Sequence, residues 1–187
     1  MKPKITQKMR LGAAAKKQLL DRPPCICPGG MMNMMFEDIM ESTGCLWPET
    51  HNNAKKMAEL AYALNQAGGF ENYGVPFCMT VEAEAMGATV NMGNRLCEPH
   101  VVESLLTSCS NIEKIKPLNL QTGRVKTVLD AINILKGKGS DVPIIGNLTG
   151  PISVAGTLMD MSILLREFCK SPEKVQSYLD VICENLI

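Results

Sequence analysis

The strongest constraint on the fold is a succession of short apolar segments, bounded by glycine and proline and separated by helix-length amphipathic stretches. Val142-Pro143-Ile144-Ile145-Gly146-Asn147 is the clearest of them. It is too short for a helix, continuously apolar as a strand buried in a parallel sheet is, and closed by Leu148-Thr149-Gly150-Pro151. The helix before it is expected to start at a Thr122 cap, bury Val125, Val128, Leu129, Ile132 and Leu135, and end at Gly137 and Gly139. Tyr73 to Thr80 reads as an earlier strand, and Cys25-Ile26-Cys27-Pro28, running into Gly29-Gly30, as the first.

Helices are expected over residues 4 to 20, where Arg22-Pro23-Pro24 stops the first, over 31 to 43, and around Glu98 to Ser108. Another runs from Asn53 to Ala67, with Ala54, Met57, Ala61 and Leu64 on one face and Gly68 as its stop. The last starts at Ser171 and Pro172, and its apolar side carries Val175, Leu179, Ile182, Cys183 and Leu186. Strands alternating with helices predict an α/β fold. The final helix reaches Ile187 without a stop signal, and the strand-helix units number about half of those that close an eight-stranded barrel. The expectation is therefore one domain, residues 1-187, forming the N-terminal part of a (β/α)8 TIM-type barrel with extra N-terminal helices and a truncated end. A half barrel has an open sheet edge, through which it could associate with itself. A non-catalytic fragment is one reading of such a chain.

Lys and Arg total 19, as do Asp and Glu, so no basic excess attracts nucleic acid or an anionic membrane. No apolar run reaches the roughly 20 residues of a spanning helix, and the start of the chain lacks the apolar core of a secretion signal. The first segment carries Lys2, Lys4, Lys8, Arg10, Lys16 and Lys17 without an acid, as a targeting peptide or an ordinary amphipathic helix can. Being Ser-poor with one Arg it reads as the ordinary helix, and the protein is expected to be cytoplasmic. The eight cysteines of this 187-residue chain read as free thiols, because a core of this size needs no disulfide staples. Met31, Met32, Met34 and Met35 suit adaptable apolar packing or a pocket lining.

Several polar residues fall at strand ends, where α/β barrels collect their ligand contacts. Cys25 and Cys27 stand two apart in the expected first strand and so point the same way, into a packed interior or toward a metal, although Cys-x-Cys alone is a weak metal signal. Glu82 and Glu84, also two apart, suit an acid, a base or a supporting partner, or a solvated or capping role. Asn147 and Thr149 follow the last strand, Gly29-Gly30 and Gly150-Pro151 supply turn geometry, and His100 reads as a surface residue.

Arg22-Pro23-Pro24, the Gly29-Gly30 turn, the stretch from Gly74-Val75-Pro76-Phe77-Cys78-Met79-Thr80 through Val81-Glu82-Ala83-Glu84-Ala85-Met86-Gly87-Ala88, and Gly146-Asn147-Leu148-Thr149-Gly150-Pro151 form an ordered set. Together they resemble the uroporphyrinogen decarboxylase superfamily, on the branch of the methylcobalamin:coenzyme M methyltransferases. That resemblance implies a barrel with its site at the strand ends, zinc that activates a thiol such as coenzyme M, and a separate corrinoid protein whose methylcobalamin donates the methyl group. Zinc suits this role because it lowers the pKa of a bound thiol. Substrate contacts are expected at Cys27, Gly29, Gly30, Cys78, Glu82, Glu84, Asn147 and Thr149. The resemblance places the zinc ligands, a His-x-Cys pair and a further Cys, in the second half of the barrel. Neither His51 nor His100 begins such a pair, so zinc is expected in the full-length parent and no metal ligand is assigned to this chain. The alternative within the superfamily is tetrapyrrole decarboxylation. The decarboxylases carry paired arginines after the first strand and an aspartate after the second. Here Cys27-Pro28-Gly29-Gly30-Met31-Met32 holds no arginine and Val75 to Ala88 no aspartate, which removes the clamps for a polyanionic substrate.

Overall fold

A computed structural model describes residues 5–27, 37–139 and 141–187. The Gly29-Gly30 turn, Pro28 and the Met31 to Met35 cluster lie outside these. In chain order the described elements are α1 (Gln7–Ala15), α2 (Glu37–Thr43), α3 (Ala54–Gln66), β1 (Tyr73–Val75), α4 (Val81–Ala85), β2 (Thr89–Asn91) and β3 (His100–Glu103). There follow α5 (Gly123–Lys136), β4 (Ile144–Gly146), α6 (Pro151–Leu158), α7 (Met161–Lys170) and α8 (Pro172–Leu186). They fall into two compact units, Met1–Phe77 with Thr127–Asn147, and Cys78–Lys126 with Leu148–Ile187.

In the first unit, β1 and β4 pair in parallel, with Tyr73 opposite Ile144, Gly74 opposite Ile145 and Val75 opposite Gly146. The expected parallel pairing is present, but the earlier strand is shorter than the Tyr73 to Thr80 reading, because Pro76 has no N–H to continue the ladder. Helix α3 follows its sequence pattern. Asn53 caps it by accepting the N–H groups of Lys55 and Lys56 at 3.1 Å each, and Gly68 ends it at φ +79°. Met57, Ala58, Leu60 and Ala61 bury its face against Tyr73, Val75, Phe77, Ala131 and Leu135. In α5, Leu129 is 38% exposed, contrary to the expected buried stripe. The helix turns Ala131 inward instead, and the small side chain allows close packing.

Two further readings need correction. Helix α1 covers Gln7–Ala15 rather than 4 to 20, because Lys17 adopts a left-handed φ of 54°. Cys25 to Cys27 forms no strand. Its backbone is held by side chains: Asn72 Oδ1 accepts the Cys27 N–H at 2.8 Å, and Asn72 Nδ2 donates to the Cys27 carbonyl at 2.7 Å. The Glu71 N–H donates to the Cys25 carbonyl at 2.7 Å. Without the strand's alternation the two thiols do not share a side: Cys25 is exposed and Cys27 buried.

A charged network sits at the same place. The buried Glu71 carboxylate accepts from Arg10 at 2.8 Å, from Arg22 at 3.0 and 2.5 Å, and from the Cys25 N–H at 2.9 Å. Arg10 also donates twice to Asp21, at 2.9 and 2.8 Å. One carboxylate, two residues ahead of β1, thus ties α1 and the segment after it to the start of that strand.

The second unit departs most from expectation. The segment around Glu98 to Ser108 is not a helix: β3 pairs antiparallel with β2, Val90 opposite Val101 and Asn91 opposite His100. Pro99 is a poor helix-interior residue and Val101-Val102 favour a pleated backbone. Gly93, in the connection between the strands, has φ +73°, and a Cβ there would lie 2.1 Å from the Cys97 carbonyl oxygen. Helices α6 and α7, not foreseen from sequence, follow Gly150 and an Asp160 cap whose Oδ1 accepts the N–H groups of Ser162 and Ile163. Ser171 occupies the N-cap of α8 without a side-chain cap bond, and Pro172 takes the first helical position as expected. The core joins Ala83, Met86, Leu106, Val154, Leu158, Leu164, Val175 and Ile182 around the fully buried Tyr178, whose hydroxyl donates to the Ala155 carbonyl at 2.8 Å. Among the described residues no helix is long and apolar enough to cross a membrane.

Candidate functional site

The most polar interior of the second unit is built on the segment that leaves β1. Cys78 is buried, Thr80 precedes α4, and Glu82 and Glu84 lie within that helix. A five-residue helix has little stability of its own, since nucleation is costly and few bonds repay it. Its support is Arg124, 4% exposed in the first turn of α5. The guanidinium donates through Nε to Glu84 Oε2 at 2.5 Å, through one terminal nitrogen to Cys78 Sγ at 3.1 Å, and through the other to Thr80 Oγ1 at 2.8 Å. The Thr80 hydroxyl in turn donates to Cys78 Sγ at 3.6 Å. Two donors therefore converge on one sulfur. Glu82 is 5% exposed, and its Oε1 accepts the Thr149 N–H at 3.2 Å. The Thr149 hydroxyl donates to the Met79 carbonyl at 3.4 Å.

The structure thus gathers Cys78, Glu82, Glu84 and Thr149 around one short segment. Cys27 and Asn147 belong to the first unit, where the Asn147 N–H donates to the Val75 carbonyl at 2.8 Å. Gly29 and Gly30 lie outside the described residues. Arg124 and Thr80 escaped the sequence reading. A signal existed for the arginine: a cation in the first turn of a helix opposes the helix dipole and needs a carboxylate to hold it there, which Glu84 supplies.

This arrangement can hold a carboxylate and a thiol in fixed positions in a poorly solvated interior, where polar groups act more strongly than in water. It does not fit the zinc that the sequence resemblance implies. Among the described residues, no three His, Cys, Asp or Glu side chains are grouped so as to hold a metal. His51 is buried, its ring 4.8 Å from that of Trp47 and 6.2 Å from that of Phe77, and His100 is exposed on β3. Cys109, the other buried thiol of this unit, is a packing residue: burial pushes its pKa up to about 12, and the neighbouring Glu167 pushes the same way. A cavity of about 620 Å³ in the first unit is lined by Arg10, Arg22, Asn65, Glu71 and Asp141, but the Glu71 carboxylate is committed to both guanidinium groups and Arg10 is further committed to Asp21.

Comparison with known proteins gives this geometry its class. Residues 6–187 match the uroporphyrinogen decarboxylase (URO-D) family, and the chain belongs to that family. Among characterised proteins it is 40% identical over 151 residues to the methylcobamide:CoM methyltransferase MtbA of Methanosarcina mazei, an alignment covering 80% of this chain and 44% of that protein. It is 34% identical over 184 residues to the methylcobamide:CoM methyltransferase MtaA of Methanosarcina barkeri, covering 98% of this chain and 53% of that protein. The α/β fold is similar to that of a solved methyltransferase from Methanosarcina mazei, with a TM-score of 0.86 at 33% identity over 97% of this chain and 53% of that one. The chain therefore spans about half the length of the relatives it matches.

Proposed function

We propose that this chain is part of a TIM-barrel-type methyltransferase that moves a methyl group from a methylated corrinoid protein to a small thiol such as coenzyme M. The observation that carries the reading is the 40% identity to a methylcobamide:CoM methyltransferase. In the reaction the acceptor sulfur forms a bond to the methyl carbon as the cobalt–carbon bond breaks, and the electron pair of that bond stays on cobalt. The thiol proton must leave before or during attack, because the thiolate is the nucleophile.

In this reading the segment from Cys78 to Glu84, with Thr149, supplies substrate contacts, and the Glu82 carboxylate is a proton acceptor held in place by the Thr149 N–H. Cys27, Gly29, Gly30 and Asn147 carry the same assignment from the family resemblance alone. No step is routed through zinc, because the described residues do not form its site. A cytoplasmic location accords with substrates delivered by a soluble carrier protein.

The test is anaerobic. The protein produced from its complete gene is mixed with methylcobalamin and coenzyme M, and the corrinoid spectrum is followed while methylated coenzyme M is quantified by mass spectrometry. Loss of methylcobalamin that depends on coenzyme M and matches the thioether formed is the expected result. Decarboxylation of uroporphyrinogen in place of that exchange would replace the reading with the lyase alternative.

A further inference from the structure

Arg124 is buried, 4% exposed, among the groups that hold the Cys78 to Glu84 segment in shape, and its bonding pattern is specific. Its three nitrogens, fixed in one plane, reach three points along that segment: the sulfur just after β1, the hydroxyl that precedes α4, and a carboxylate inside α4. Glu82 lies between the last two of these grips. It meets the Thr149 N–H only if α4 keeps its place along the chain axis and its rotation.

We infer that Arg124 is a positioning residue for the site: by clamping Cys78, Thr80 and Glu84 together it sets where the Glu82 carboxylate stands. The inference rests on the methyl-transfer reading only for the word site; the clamp itself is independent of it. Lysine cannot reproduce the clamp. It carries one nitrogen on a flexible stem, so it can satisfy Glu84 or the pair Cys78 and Thr80, and not all three. Glutamine at 124 keeps some donor capacity without the charge and leaves Glu84 without its cation.

Two readouts test this in the full-length protein. The first is thiol alkylation by iodoacetamide, resolved cysteine by cysteine by peptide mass spectrometry. Arg124→Lys is expected to speed labelling of Cys78 on the order of tenfold, the size of a loss of about 1.4 kcal/mol in local closing energy, while Cys27 and Cys109, also buried, keep their rates. Equal acceleration at all three would mean general loosening and would overturn the clamp, as would no change at Cys78. The second readout is the steady-state exchange with methylcobalamin and coenzyme M. A displaced Glu82 is expected to lower kcat by about ten- to a hundredfold, with the KM for the thiol moving less than about threefold. Should Arg124→Lys fail to fold, Glu84→Gln gives the same comparison with a weaker perturbation, since the contacts to Cys78 and Thr80 survive it. A wild-type protein without exchange activity refutes the functional reading, and the alkylation result then still decides the clamp.

Discussion

Replacing Glu71 by glutamine should uncouple the N-terminal segment from the sheet of the first unit, and its cost can be worked from the contacts. The side chain keeps its shape, so cavity formation contributes nothing. What is lost is a carboxylate that accepts four hydrogen bonds, three of them from two guanidinium groups, at a side chain 11% exposed. Stripping one partner from a buried ion pair costs about 3–5 kcal/mol. Two features reduce that here. Asp21 still holds Arg10 through two bonds, and the Arg22 side chain, 51% exposed, can turn its charge to water. An amide nitrogen would in addition face donors. The net expectation is about 2–3 kcal/mol, which for a domain of this size lowers Tm by roughly 5–10 °C.

The pH dependence makes the test sharper than the magnitude alone. Hydrogen bonds from Arg22, and after them the Cys25 N–H and the nearby positive charges, hold the Glu71 carboxyl below its ordinary value in the folded protein, against the opposing effect of burial. A depressed carboxyl contributes stability that is complete above its unfolded value, about 4.3, and that drains away as pH falls through the lower folded value. Asp21, held down to about 2 chiefly by its hydrogen bond from Arg10, titrates in both proteins and largely cancels. Urea denaturation of wild type and Glu71→Gln at pH 7, 5, 4 and 3 should therefore show a gap that is constant from pH 7 to 5 and narrows below it. A gap of the same size at pH 3 as at pH 7 would refute the argument that the charge on Glu71 matters, leaving only its shape.

Two further outcomes follow from the second unit. Tyr178→Phe removes the hydroxyl that donates to the Ala155 carbonyl, but that oxygen also accepts the Met159 N–H at 3.1 Å, so it is not orphaned. The loss should be about 1 kcal/mol by urea denaturation at neutral pH, and a cost above about 3 kcal/mol would mean that the hydroxyl does more than this bond. Cys109, with its pKa pushed up to about 12, should stay unlabelled by iodoacetamide at pH 9 in the native protein while the exposed Cys25, Cys97 and Cys169 react. Labelling of Cys109 at the rate of those three would contradict its burial.

Sequence periodicity exposed the elements whose backbone satisfies itself. Helix α3 was legible because Asn53, the repeat through Met57, Ala61 and Leu64, and Gly68 agree on one boundary pair. The parallel partner β4 was legible because Ile144 and Ile145 form an apolar run between turn residues. Strand β3 was not, since His100-Val101-Val102-Glu103 is too short for either period to declare itself and its partner lies across a glycine turn. The candidate site was half legible. Glu82, Glu84 and Thr149 stand beside strand ends and were named for that reason, and Cys78 was named from the family resemblance. Arg124 sits 40 positions from Glu84 and 46 from Cys78, and only the fold brings it to them.

A common cause links this miss to the false first strand. At several buried or part-buried points, a side chain takes the place that sheet or helix backbone would otherwise fill. Asn72 pairs with both backbone groups of Cys27, and Glu71 accepts the Cys25 N–H. Asn185 accepts the Leu118 N–H at 2.7 Å, and Glu167 accepts the Cys109 N–H at 2.9 Å. Each satisfies a backbone group that would be costly to bury unpaired, and each does so from 45 to 67 positions away. Such pairs have no period and no local composition, so a pattern that reads as strand, Cys25-Ile26-Cys27, can be extended chain held by an amide. The same economy makes these polar residues poor candidates for catalysis: their capacity is already committed to the backbone. Glu82 differs in kind. It accepts one backbone N–H through one oxygen on a carboxylate that is 5% exposed, whereas Glu71 commits both oxygens to four donors and the half-buried Glu167 also bonds the Ser108 and Cys109 side chains, and that places Glu82 ahead of both as the group to examine in the proposed reaction.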